Sequence, residues 1–195
     1  MSSHGDPRES PRGAPRGNPQ GDELAHTFAA ALADLSLQTV DVTVTTAGTR
    51  RVLRVLVDRD LSRLDPSDST SRVAPLDLDE VADATRAVTQ VLDESDAMGE
   101  RAYTLEVSSP GVGRPLSGHA ALRRNVGRLV ELTQVSGATV TGRLVAVEPD
   151  ALVIEVPAGR RTPAERFTLS LPEVRSAQVQ VEFNRSDDDS DEEED

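Results

Sequence analysis

The chain has 195 residues, a formal net charge of −13, no Cys and an aromatic content of only 2%. Without Cys there is no disulfide and no thiolate metal site, and the longest apolar runs are far too short to span a bilayer. A length of this order accommodates one large or two small domains, and the near-absence of rings requires an aliphatic core.

The charge is unevenly placed. Residues 187–195 hold eight carboxylates and no base, and taking those eight from −13 leaves −5 for the rest. All 21 basic residues are Arg, whose guanidinium suits forked contacts with phosphate or carboxylate. An acidic chain is a weak non-specific binder of nucleic acid, because phosphate affinity comes from neutralising cations. It is better matched to a basic partner, or to nucleic acid through one local Arg patch.

Residues 1–21 are rich in Gly, Pro, Ser and Arg and carry almost nothing apolar, which predicts a disordered extension. They contain no apolar segment of a secretory signal, so the expected location is cytoplasmic. Asp22 is placed to cap a helix in which Leu24, Phe28, Ala31, Leu32 and Leu35 recur at helical spacing. Val40, Val42 and Val44 then alternate with polar residues. The chain turns at 47–49 and returns with Leu53, Val55 and Val57 on one face, which reads as a hairpin. Residues 60–75 have no periodicity and form a long loop. A second helix begins at Asp77, which with Glu80 has the spacing of a capping box; its less polar stripe is Leu78, Val81, Ala82, Thr85, Val88 and Leu92. A strand at 103–108 completes an α-β-β-α-β half over 22–116, two helices on one face of a three-stranded sheet.

The second half, 117–185, has a helical turn at 119–125. Short strands follow at 128–133, 139–148, 151–156, 166–171 and 178–183, with a single helical turn at 171–174. Five short strands of this kind predict a small all-β barrel of the SH3-like or Sm-like type. The fold class expected is therefore α+β, an α/β sandwich domain followed by a small barrel. Residues 186–195 are an acidic, solvated tail. Neither half shows a heptad seam, which predicts a monomer.

No catalytic or metal chemistry emerges. His4, His26 and His119 are far apart and not at metal-ligand spacing. Ser108 or Ser109 with His119 lacks an elbow and an orienting carboxylate. Gly111 and Gly113 form a G-x-G without the third Gly or the helix that a dinucleotide fingerprint needs. Asp65, Asp68 and Asp77 lack calcium-loop spacing. The expectation is a protein that is not an enzyme and uses no cofactor and no metal.

The most specific stretch is 103–116, YTLEVSSPGVGRPL. A strand runs into a loop in which Pro110 biases Ser109 toward extended geometry, Gly111 and Gly113 permit positive φ, and Pro115 braces Arg114. The string LEVSSPGVGRPL resembles the signature of the bacterial ribosome maturation factor RimP family. Thr85-Arg86 ahead of Leu92-Asp93, Gly142-Arg143-Leu144 and the ending VQVEFNR are similar to further family motifs, so the resemblance covers about 22–185. It implies an α/β domain followed by an Sm-like or SH3-like barrel and a non-enzymatic factor for assembly of the small (30S) ribosomal subunit. The partners it implies are the immature small subunit and a basic small-subunit ribosomal protein, with ribosomal RNA as a further contact. The chain departs from the family at Gly113, where an Asp is frequent, in the length of the 60–75 loop, and in both terminal extensions.

Two roles are open for the loop formed by Ser108, Ser109, Pro110, Gly111, Gly113, Arg114 and Pro115. It presents backbone N–H groups and the Arg114 guanidinium to a partner, or it joins the two halves while its side chains serve their own backbone. Arg123, Arg124 and Arg128 form a second candidate, a phosphate-binding or partner-binding patch. A general RNA-binding adaptor is the competing function.

Overall fold

The computed structural model describes residues 18–48, 50–99, 101–111, 113–158 and 163–181. The expectations for 1–17 and for the acidic tail fall outside the described residues. The chain divides into two compact units. One runs to Val57 and then over Val81–Ser108; the other takes Asp58–Glu80 and the chain from Ser109 onward.

In the first unit, α1 (Pro19–Asp34) begins earlier than expected. The cap is Asn18 rather than Asp22: its Oδ1 accepts from Gly21 N at 3.2 Å. Pro19 occupies the first helical position, where a missing N–H costs nothing. Asn18 Nδ2 also donates to Val42 O at 3.0 Å, tying the helix start to β1 (Leu37–Ala47). Leu24, Phe28 and Leu32, one turn apart, are buried. Leu35, expected in the same stripe, is exposed because the helix has ended; the next residue, Ser36, has a φ of 61° that helical backbone cannot continue.

Strand β2 (Arg50–Arg59) lies between β1 and β3 (Tyr103–Ser108). The two-residue link from β1 to β2 is compatible only with antiparallel pairing, whereas β2 and β3 run parallel with Leu53 beside Leu105 and Val55 beside Val107. A parallel pair needs a crossover of about a dozen residues or more, supplied by α2 (Leu78–Glu94). Leu53, Val55 and Val57 are fully buried. The opposite face of the sheet carries the exposed cross-strand pair Arg54 and Glu106, 2.8 Å apart.

Asp77 and Glu80 form the expected capping box: Glu80 N donates to Asp77 Oδ1 at 2.8 Å and Asp77 N to Glu80 Oε2 at 3.0 Å. Asp77→Ala is expected to lower stability by about 1 kcal/mol, read from the midpoint of urea unfolding. The buried positions of α2 are Ala84, Val88 and Leu92. Ala84 was absent from the expected stripe, while Leu78 is 87% exposed at the first helical position. Ala82, two residues from Ala84, necessarily faces another way.

The second unit contains α3 (Gly118–Arg124) and strands β4 (Leu129–Gln134), β5 (Thr139–Val147), β6 (Ala151–Val156), β7 (Glu165–Ser170) and β8 (Val174–Val179). The last strand begins at Val174, earlier than expected, and directly follows a 3-10 turn over Leu171–Glu173. The strands form one antiparallel sheet in the order β7-β6-β5-β4-β8. Shifts of register at Thr133/Gln134 and Leu144/Ala146 mark bulges, which bend strands and raise their twist. Among the described residues β7 and β8 are edges and do not pair with each other. Among the described residues the five strands thus form one sheet without closure, consistent with the expected α+β class. Its core is Val130, Leu132, Leu144, Leu152, Ile154 and Ala177, covered by Leu122 and Val126. Among the described residues no helix is long and apolar enough to cross a membrane.

Candidate functional site

Strand β3 ends at Ser108, and the loop that follows belongs to the second unit. Arg114 N reaches Gly111 O at 3.4 Å, closing a loose turn. Pro115 then bridges to Gln178, and Leu116 N donates to Ala177 O at 2.8 Å. The loop's far end is therefore stitched to the outer edge of β8, where a Pro is tolerated because edge strands leave donors unpaired. Ser108, Ser109, Gly111, Gly113, Arg114 and Pro115 are exposed and Pro110 is half-buried. None of the hydrogen bonds among the described residues engages the hydroxyl of Ser108 or Ser109.

Beside the stitched end lies an open cleft of about 380 Å³. Leu116, His119 and Leu122 wall one side of it, and Leu171, Val174 and Arg175 the other. His119 and Arg175 are the ionisable groups in this lining, and no carboxylate faces it among the described residues. The loop and the cleft together offer backbone groups, cations and apolar surface on one side of the second unit.

The three arginines proposed as a patch are placed differently. Arg123, at the end of α3, is only 4% exposed. Its Nε donates to Asp68 O at 3.0 Å and its Nη1 to Ser71 O at 2.5 Å; its Nη2 lies 3.1 Å from Asp68 Oδ2. The Arg124 Nε is 3.4 Å from Asp58 Oδ2. Arg128 is half-buried, and its backbone pairs with Leu144. Two of the three cations thus face acidic side chains and carbonyls of the 58–80 segment, not solvent. Burial pushes the Arg124 guanidinium down from its ordinary value, opposed by the charges of Asp58 and Asp60.

That segment is more ordered than its aperiodic sequence suggests. Asp60, Asp65 and Asp68 each accept a hydrogen bond from a backbone N–H two residues on, at Ser62, Ser67 and Thr70. Asp68 also accepts from Ser71 N at 2.9 Å. These are Asx-turns, in which a carboxylate replaces a backbone acceptor. The spacing Asp-x-Ser, Asp-x-Ser, Asp-x-Thr was the signal available for them. Arg59 closes the segment on itself: its Nε donates to Ala74 O at 2.8 Å, and its guanidinium pairs with Glu80 at 2.8 Å.

The same bonds lower the three carboxyls below the ordinary range. The Ser62 hydroxyl and amide do so for Asp60, the Ser67 hydroxyl and amide for Asp65, and the Ser71 amide and hydroxyl with the Thr70 amide for Asp68. A depressed carboxyl stabilises the folded state above its unfolded pKa, and that contribution is lost as the pH falls through the folded value. The segment is expected to keep its turns at neutral pH and to lose them only below the ordinary Asp value of about 3.9. Amide chemical shifts of Ser62, Ser67 and Ser71, followed by NMR during acid titration, check this; a titration midpoint at or above that ordinary value would refute it.

Comparison with known proteins bears on the same residues. The family described as RimP N-terminal domain matches residues 27–113, ending inside the signature loop. A ribosome maturation factor RimP from Kineococcus radiotolerans is 42% identical over 80% of this chain and 74% of its own length. A second, from Frankia casuarinae, is 40% identical over 80% of this chain and 57% of its own length.

Proposed function

From the premise that the chain belongs to the RimP family, we propose that it is a non-enzymatic assembly factor that binds the immature small (30S) ribosomal subunit and one of its basic proteins. The curated relatives carry the name ribosome maturation factor, which supports a role in ribosome assembly. The observation that carries the finer reading is the exposure of Ser109, Gly111, Gly113, Arg114 and Pro115 beside a cleft in which no carboxylate is found among the described residues. It presents an exposed turn and the exposed side chain of Arg114 to a partner surface, and such turns suit anionic groups. The net charge of −13 directs the rest of the molecule toward basic protein rather than bare RNA. In this reading the protein works as a monomer in the cytoplasm, and the second unit is an SH3-like or Sm-like module.

Co-sedimentation with immature small subunits, with mature subunits as control, tests the proposal. The wild-type chain is expected to pellet with the immature subunit. Arg114→Ala is expected to reduce that binding by about tenfold while its melting temperature stays within about a degree of wild type, since an exposed side chain contributes little to stability. A drop of several degrees with binding intact would show that Arg114 serves the fold. Tight, salt-steep binding to naked ribosomal RNA would instead favour the general RNA-binding adaptor.

A further inference from the structure

We propose that the 58–80 segment is a detachable strap, held by the second unit as a ligand in a docking site for an acidic Asp-x-x-Ser turn. This goes beyond the assembly role and does not depend on it.

The strap contributes nothing to the apolar core that would make it integral. No residue between 58 and 80 is fully buried, and the core cluster of the second unit is drawn entirely from Leu116–Ala177. Polar contacts hold the strap in place. Arg123 reads its turn from three directions, through Asp68 O, Ser71 O and the Asp68 carboxylate. Val147 N donates to Ser69 O at 2.9 Å from the end of β5. The Arg72 side chain lies over Gly127, where an added Cβ would come within 2.5 Å of Arg72 Nε. Two donors on the docking side, Arg123 Nη2 and Arg124 Nε, are buried without a well-aimed acceptor among the described residues.

The strap is also folded independently of what it docks on. Its Asx-turns and the Arg59 closure are internal. A segment ordered in this way loses little entropy on docking. The chemistry of recognition is that of a peptide rather than a phosphate, because two of the three Arg123 contacts go to main-chain carbonyls.

The test uses the full chain with residues 65–73 replaced by a Gly-Ser linker of equal length, and a fluorescein-labelled peptide of residues 64–73. In fluorescence anisotropy the peptide is expected to bind saturably to this vacated chain and not to wild type. A peptide carrying Asp68→Ala should bind at least about tenfold more weakly. No peptide binding by a vacated chain that still melts cooperatively would overturn the proposal. Binding of a ribo-oligonucleotide in place of the peptide would do the same and would mark the arginines as a phosphate site. Hydrogen exchange on the wild-type chain decides the matter should the vacated chain not fold. The Val147 amide, which reports on the strap through Ser69 O, is expected to exchange at least about tenfold faster than the ladder amides of β4 and β5. Exchange of Val147 only together with that ladder would show the strap to be inseparable from the unit.

Discussion

Gly142→Ala is expected to lower the unfolding free energy by about 2–3 kcal/mol, the range of an overpacked core. The position has room for hydrogen only. A Cβ there would sit 2.5 Å from Ile154 Cγ2 and 2.8 Å from Glu155 O. Neither neighbour can yield cheaply: Ile154 is fully buried, and Glu155 lies in the ladder that joins β6 to β5. Relief requires the two strands to separate beside the Leu144/Ala146 bulge, where pairing is already irregular. The chain has no Trp, so far-UV circular dichroism in urea is the practical readout. Gly111→Ala is the control, since nothing lies within 4 Å of a Cβ there, and it should stay within about 0.5 kcal/mol of wild type. Equal midpoints for the two variants would show that close approach to Ile154 does not constrain this site.

Arg123→Ala is expected to cost about 2–3 kcal/mol, from the loss of charged hydrogen bonds to Asp68 and Ser71. Removing one partner of a fully buried ion pair costs more, about 3–5 kcal/mol, because the other charge is left stranded. Here Asp68 is not trapped: its side chain is 21% exposed, and its segment carries no core residue. Once the arginine is gone the carboxylate returns to water with the strap, which limits the penalty. Urea unfolding gives the size of the effect. Asp68→Asn should cost less, because its amide oxygen still accepts from Thr70 N and Ser71 N. An Arg123→Ala chain as stable as wild type would mean that the buried guanidinium contributes no net stability.

What was legible in the sequence was local. The alternation Leu53, Val55, Val57 announced a half-buried strand, and those residues are fully buried. The capping box at Asp77 and Glu80 was readable because both partners lie within one turn. Ala84 escaped notice because a small side chain adds little to a hydrophobic stripe, yet it is fully buried. Leu78 was misplaced for the opposite reason: its hydrophobicity said core, while its position at the helix start put it in solvent. Asn18 was hidden in a stretch whose Gly and Pro content suggested only disorder.

The candidate site was less legible, because its contacts are distant in sequence. Arg123 and Arg124 looked like part of a surface patch since their partners, Asp58, Asp68 and Ser71, come from a segment that precedes them by more than fifty residues. The signature loop was found at once from its Gly and Pro residues. Its pairing with Gln178 and Ala177 across the unit could not be found in that way.

The placement of residues 58–80 imposes an order on biosynthesis. The segment is made well before α3, and Arg123 follows Asp68 by 55 positions. At a synthesis rate of roughly 5–20 residues per second, the strap waits about 3–11 s for its arginine. By then every residue of the bond from Arg59 to Ala74 O and of the internal Asx-turns has been made, while the surface they serve has not been translated. The second unit therefore cannot mature as a contiguous stretch of nascent chain. It has to capture a piece made earlier, after the sequence of the first unit has been finished around it.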